Sequence, residues 1–252
     1  MNEGYDPLEL GNRVREYVVK EQGGIEYRRY YRFRGGLWYG GSATGDVIGC
    51  NLRCKFCWSS TFRDNYRVGK FYSPEEAFNK LRRIAERRGY RLIRLSGSEP
   101  TLSMKHVIDL IKLCEEFNYV FILETNGILL GARRDYVREL SRFNNLVVRV
   151  SIKGACEKDF NILTGAKESY FELQLQALRN LIDAGLTPGR EVVVAIMASF
   201  SSDNDLARLV MRLGEIHDNL INSIDWEVVI LYPNVRKLLK KYGLVPKRFI
   251  EP

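Results

Sequence analysis

The chain reads as an α/β protein: an open (β/α)6 partial barrel of parallel strands with a short N-terminal β-hairpin extension. Three observations predict this. After residue 45, apolar runs of strand character alternate with amphipathic helical segments, the pattern of a parallel sheet with helical crossovers. At 252 residues the chain suits one large domain, and it is short for the eight units of a closed barrel. The residues with chemical character also fall just past the predicted strand ends, the rim where such sheets bind ligands.

The elements follow in order. In an N-terminal extension, residues 1–42, Ile25, Tyr27, Arg29, Tyr31 and Phe33 alternate with Glu26, Arg28, Tyr30, Arg32 and Arg34. That period suits a strand or hairpin. Gly35-Gly36 and Gly40-Gly41 punctuate the approach to the core, residues 43–233. Its candidate strands are Asp46–Gly49, Arg91–Ser96, Tyr119–Thr125, Leu146–Ile152, Glu191–Ser199 and Ile224–Tyr232. Ser73-Pro74-Glu75-Glu76 reads as N-cap, first-turn proline and capping-box glutamate, with Gly89 as the stop. Phe78, Leu81, Ile84 and Ala85 form the apolar face of that helix. A helix near Lys105–Phe117 puts Val107, Leu110, Ile111 and Cys114 on one stripe, which assigns Cys114 to the core. Phe171–Ala184 and Leu206–Ile216 supply two more helices, and residues 234–252 form a short basic C-terminal tail.

Composition narrows the class. With 45% hydrophobic and 28% charged residues the chain is neither disordered nor collagen-like. No run reaches the roughly 18 uncharged apolar residues of a spanning helix. The first residues have no basic and apolar signal pattern, so no membrane role and a cytoplasmic location are expected. The net charge of +8 is concentrated between Arg53 and Arg94 and in the six basic residues from Arg236 to Arg248. Such patches suit an anionic partner such as RNA, and they equally describe a solvated Lys/Arg face. The interleaved Tyr and Arg residues of the extension divide in the same way, between base stacking and an edge strand with an aromatic inner face.

Cysteine spacing carries more. Three of the five cysteines, Cys50, Cys54 and Cys57, lie within eight residues. An odd total without a signal peptide argues against a disulfide framework. A structural zinc site needs a fourth Cys or His ligand, and His106 and His217 are both far away in sequence. Three thiolates in one tight loop leave a coordination vacancy that suits a four-iron four-sulfur cluster with one open iron.

Three further motifs end strands. Ser96-Gly97-Ser98-Glu99-Pro100-Thr101 offers a backbone edge that Gly97 opens and an acceptor, Glu99, for an ammonium group. Glu124-Thr125-Asn126-Gly127 is a turn sequence carrying an acid and an amide. In Ser151-Ile152-Lys153-Gly154, alternation points Ser151 and Lys153 into the barrel, where a lysine needs an anion.

With these motifs the sequence resembles the radical S-adenosylmethionine superfamily, from about Ala43 to Pro233. The resemblance implies that Cys50, Cys54 and Cys57 hold three irons of a [4Fe-4S] cluster. The fourth iron then takes the amino and carboxylate groups of S-adenosyl-L-methionine, with Phe56 beside the cofactor. Gly97, Ser98, Glu99, Glu124, Asn126, Ser151 and Lys153 are implied as cofactor contacts, Lys153 through the cofactor carboxylate. The implied chemistry is one-electron cleavage of S-adenosylmethionine to a 5′-deoxyadenosyl radical that removes hydrogen from a substrate.

Two branches look similar. Activating enzymes for glycyl radical proteins share the plan but read aspartate where this chain has Glu124 and Ser151, and they carry a histidine absent from Leu231–Val235. Carboxy-deazaguanine synthases share Glu-Thr-Asn-Gly but read Asp-Thr where this chain has Trp58-Ser59. The short tail suggests a wide mouth and a macromolecular substrate, protein or RNA, with Trp58 and Tyr232 on the substrate side. A small-molecule lyase or isomerase is the alternative, and an iron–sulfur electron-transfer module without cofactor cleavage a further one. Arg53 and Lys55 suit contact with an acidic donor such as a ferredoxin or flavodoxin. Cys156, just past Lys153, is either a hydrogen donor to a product radical or simple packing.

Overall fold

Residues 4–252 are described by a computed structural model. Asp6 caps the first helix, α1 (Pro7–Val18), by accepting from the amides of Leu8 and Glu9, and Pro7 fills its first turn. The chain then forms the hairpin β1 (Val19–Gln22) and β2 (Ile25–Gly36), followed by β3 (Ser42–Val47). After the cysteine loop come α2 (Ser60–Arg63), β4 (Lys70–Tyr72), α3 (Pro74–Arg88), β5 (Leu92–Ser96), α4 (Met104–Glu116) and β6 (Val120–Thr125). Next are α5 (Ile128–Ala132), α6 (Arg134–Leu140), β7 (Leu146–Ile152), α7 (Glu157–Thr164), α8 (Phe171–Asp183) and β8 (Val192–Met197). The chain ends with α9 (Asp203–Ile216), α10 (Asp218–Ile221), β9 (Asp225–Glu227), β10 (Val229–Ile230), α11 (Pro233–Tyr242) and β11 (Phe249–Ile250).

Six strands, β3-β5-β6-β7-β8-β9, pair parallel in that order. This is the predicted run of six βα units. The hairpin is joined to it, because β2 pairs antiparallel with β3, and β1 and β4 both pair with β2. The expected hairpin therefore extends the sheet, with α1 packed beside it. Helix α3 starts with the full capping box between Ser73 and Glu76 and ends at Gly89 as read. Its Ala77, Phe78, Leu81 and Ala85 are buried, as are Val107, Leu110, Ile111 and Cys114 of α4. Each buried Leu, Val, Ile or Phe removes enough apolar surface to contribute about 1.5–3 kcal/mol.

Two strand boundaries differ from expectation for physical reasons. The first barrel strand is Ser42–Val47, four residues earlier than Asp46 at its start. It ends before Gly49, whose φ of 89° turns the chain into the cysteine loop where a Cβ would strike Val14 and Val18 of α1. The expected last strand, Ile224–Tyr232, breaks into β9, which joins the barrel, and β10, which pairs with β11. Residues 234–252 thus fold into α11 and β11. Among the described residues no helix is long and apolar enough to cross a membrane.

Candidate active site

Parallel strands carry every carboxyl end to one rim, and there the predicted site residues assemble. The cysteine loop leaves β3 and is held from several sides. The amide of Lys55 donates to the Leu163 carbonyl at 2.8 Å, Arg53 to the Cys50 carbonyl at 2.6 Å, and Arg63 to the Cys54 carbonyl at 3.1 Å. All three cysteines are free thiols. Burial, with Glu99 beside it, pushes the Cys50 thiol up to about 12. Burial likewise pushes Cys54 to about 11, while the ammonium of Lys153 pulls the other way. A cationic group bound to the sulfurs reverses that logic and deprotonates them. Among the described residues no three His, Cys, Asp or Glu side chains converge on a point suited to a single metal ion.

The loop after β5 lies against β3. Gly97 has φ 90°, and a Cβ there would sit 3.0 Å from Asp46 and Val47 atoms, so only glycine fits. The Gly97 carbonyl accepts from the Ser59 hydroxyl, which ties this edge to the cysteine loop. The Ser98 hydroxyl is buried and has no partner among the described residues.

Glu99, read as an ammonium acceptor, already accepts four hydrogen bonds within the chain. It is 1% exposed, and one oxygen accepts from the Thr101 amide at 3.2 Å, the Thr101 hydroxyl at 2.6 Å and the Thr125 hydroxyl at 2.7 Å. The other accepts from the Asn126 amide at 2.8 Å. Burial raises its pKa against those donors. Glu99 therefore stitches the end of β5 to the end of β6. Asn126 is equally committed: its side-chain amide donates to Asn51 at 2.6 Å and lies 3.7 Å from the Cys50 sulfur, and its oxygen accepts from the Ile128 amide. Phe56 is buried and packs on Phe200, ring centroids 5.4 Å apart.

At the end of β7, Ser151 and Lys153 both face inward as alternation required. The anion that Lys153 needs is already in the chain: Glu227 of β9 lies 3.4 Å from its Nζ, and the ammonium also donates to the Ser151 hydroxyl. Ser151 donates in turn to Glu227 at 2.7 Å. Burial opposes the charge on Lys153, but Glu227 and Cys54 beside it hold its pKa above the ordinary lysine value. Burial also opposes the Glu227 charge, yet Lys153 and Arg149 hold its carboxyl down to about 2. Glu227 was not legible as a site residue, because its partners are 74 to 78 residues away in sequence.

Deeper in the barrel the inner face carries more charge. Glu124 accepts from Ser96 and from Tyr39, both at 2.6 Å, and lies 3.4 Å from Arg94. Arg149 donates to Asp225 at 2.5 Å and to Glu227 at 2.7 Å. Below them is a cavity of about 390 Å³ lined by Leu92, Val120, Ile122, Val147 and Val193, with Tyr39 beside it. Glu124, penultimate in β6, thus sits just inside the carboxyl rim and is tied down toward Tyr39.

At the mouth, Trp58 is 42% exposed, its carbonyl accepts from the Asn234 amide at 2.8 Å, and the Arg32 guanidinium lies 6.0 Å from its ring. Tyr232 and Lys237, Lys240 and Lys241 of α11 are also exposed. Several expected basic-patch residues instead brace the fold: Arg248 donates to the Ala198 and Ser201 carbonyls, and Arg236 to the Leu231 carbonyl. Cys156 is half-buried at the start of α7.

The open parallel barrel thus gathers a three-cysteine loop, a glycine-opened edge and a lysine on one rim. A family model described as "Radical SAM superfamily" matches residues 47–213, more than half of the chain, and the chain belongs to that superfamily. It is 26% identical over 187 residues to a protein named "Probable GTP 3′,8-cyclase" from Saccharolobus islandicus (strain M.14.25 / Kamchatka #1), covering 73% of this chain and 54% of that protein. It is 30% identical over 136 residues to "Pyruvate formate-lyase-activating enzyme" from Clostridium pasteurianum, covering 53% and 54%. The chain spans about half the length of the curated relatives it matches. The solved structure of QueE from Escherichia coli shares the fold, with TM-score 0.52, 14% identity and 97% of each chain covered.

The family uses a [4Fe-4S] cluster and S-adenosylmethionine with a reductant. The residues present fit these groups: three free thiols in one loop are the donor set, and the unpartnered Ser98 hydroxyl is a buried polar atom on the adjoining edge.

Proposed function

We propose that this chain is a radical S-adenosylmethionine oxidoreductase or lyase that takes hydrogen from a macromolecular substrate docked across its mouth. When bound, the cluster and cofactor supply one-electron cleavage to methionine and a 5′-deoxyadenosyl radical. The observation that carries the reading is the gathering of Cys50, Cys54, Cys57, the Gly97–Ser98 edge and the Ser151–Lys153–Glu227 triad on one rim.

The chain's own residues divide the work. Cys50, Cys54 and Cys57 hold the cluster. Gly97 keeps the β5 edge close to β3, and Ser98 offers its hydroxyl to the cofactor. Lys153, charged and half-shielded, offers the cofactor carboxylate a cation without giving up Glu227. Phe56 and Phe200 wall the loop from water. Lys55, at the surface beside the cysteines, suits docking of an acidic ferredoxin or flavodoxin.

Exposed Trp58 and Tyr232 with the α11 lysines support a macromolecule at the mouth, and one relative is named for activating a protein. A small polar substrate is the second reading, favoured by the charged barrel wall of Glu124, Arg94 and Arg149 and by the cyclase relatives.

Anaerobic reconstitution, dithionite reduction and quantification of 5′-deoxyadenosine test both. Formation stimulated by extract protein or bulk RNA is expected. An intact reduced cluster that binds cofactor and yields no nucleoside overturns the reading in favour of electron transfer.

A further inference from the structure

The family model begins at residue 47, yet two side chains from before it reach beneath the cysteine loop. Tyr5 accepts from the Arg53 amide at 2.7 Å and donates to the Thr164 carbonyl at 3.2 Å. Arg28, on β2, goes deeper. It is 1% exposed, among the largest fully buried side chains of the protein.

Among the described residues its guanidinium meets only carbonyls. One nitrogen donates to Val18 at 3.2 Å; the other donates to Glu99 at 3.2 Å and to Gly49 at 3.5 Å; Nε has no partner. Gly49 immediately precedes Cys50, and Glu99 closes the Gly97–Glu99 edge. The fork therefore joins the backbone of the cysteine loop to the backbone of the cofactor edge.

The nearby acids do not neutralise it by contact. Glu99 turns its carboxylate to Thr101, Thr125 and Asn126. Glu26 is occupied by Arg15, Ser103 and the His106 amide. Burial lowers the Arg28 pKa to about 10, with Tyr30, Glu99, Cys50 and Glu26 within electrostatic reach, so the group stays charged at neutral pH. A neutral donor would satisfy the same carbonyls without the cost of a dehydrated charge. What the charge adds is a fixed positive field beside Cys50.

We propose that Arg28 is a positioning residue that raises the reduction potential of the cluster on Cys50, Cys54 and Cys57. Reduction adds one electron, from an external low-potential donor, to a group whose Cys50 ligand directly follows Gly49, the residue whose carbonyl the buried cation holds. The added negative charge is stabilised by that cation in a low-dielectric setting. The proposal rests on the three cysteines being the cluster ligands.

The test uses the full chain, reconstituted anaerobically, with iron counted first and the cluster then titrated by potential under EPR. A wild-type protein that binds no iron on the cysteines defeats the cluster reading itself, before any variant is made. Arg28→Gln keeps an amide donor and removes the charge; its reduction equilibrium is expected to fall about tenfold, 59 mV for one electron. Arg28→Lys keeps the charge and is expected to titrate close to wild type. Wild-type potential in an iron-loaded Arg28→Gln overturns the proposal, as does an Arg28→Lys that falls as far as Arg28→Gln. If Arg28→Gln does not retain iron, Glu26→Gln decides. Removing that neighbouring negative charge is expected to raise the potential, and an unchanged value overturns the proposal.

Discussion

The two ends of the barrel lumen use the same residue types to different ends. From the amino end, Tyr39 reaches up beside an apolar cavity to Glu124, the penultimate residue of β6, which also pairs with Arg94, so these charges close on themselves. At the carboxyl rim, Ser98 has no partner, three thiols are free, and Lys153 shares a single carboxylate with Ser151 and Arg149. Self-satisfied ion pairs stiffen a barrel, whereas groups left with bonding capacity at a rim are available to a ligand. Glu227 belongs to both: one oxygen pairs with Arg149 below, the other with Ser151 and Lys153 above.

The largest effect expected is at the rim. Cys54→Ala should drop bound iron and bring 5′-deoxyadenosine formation to background, with an unchanged far-UV spectrum. Retention of cluster and turnover would remove the loop from the site. Glu227→Gln comes next and strikes the hinge of the comparison. It leaves two buried cations short of a carboxylate, a loss of about 3–5 kcal/mol by chemical denaturation.

The same group predicts an acid limb. Its folded pKa of about 2 lies below the ordinary glutamate value of 4.5. The stability it contributes, about 3 kcal/mol for a shift of that size, is present above the unfolded pKa and is lost as pH falls from about 4.5 toward 2. Glu227→Gln should flatten that limb; a limb identical to wild type would show that the triad does not hold the proton balance described. Lys153→Met should weaken S-adenosylmethionine about 10- to 100-fold by equilibrium binding, the worth of one charged hydrogen bond. Unchanged affinity would leave Lys153 as a partner of Glu227 alone.

What could be read from the sequence follows how local its cause is. Ser73, Pro74, Glu76 and Gly89 fix α3 through neighbours three or four residues away, so the capping box was legible. The inward direction of Ser151 and Lys153 followed from a period of two. Helix α1 carried a signal, Asp6-Pro7, that an N-cap reading could have found. Strand β3 was read four residues late, because Ser42, Thr44 and Asp46 put polar groups on an inner face that looks like a loop composition. The links from Glu99 to β6 and the whole role of Glu227 were unseen for one reason: those donors lie on other strands, and pairing across a sheet is set by register that no local pattern displays. Arg28 looked like one more arginine of an alternating strand.

The smallest effect sharpens the comparison from its other end. Tyr39 sits at φ 59°, ψ 31° in the turn before β3 and donates to Glu124 at 2.6 Å, so it closes the amino end of the lumen with a single hydrogen bond. Tyr39→Phe keeps the ring and removes only that donor. Glu124 retains Ser96 and Arg94, and the expected cost is about 1 kcal/mol in a denaturant titration. Cofactor affinity should not move, since Ser96 and Arg94 keep Glu124 in place. A parallel loss of S-adenosylmethionine binding in Tyr39→Phe would mean that the two ends are coupled through Glu124 and Arg149, and that the lumen behaves as one network.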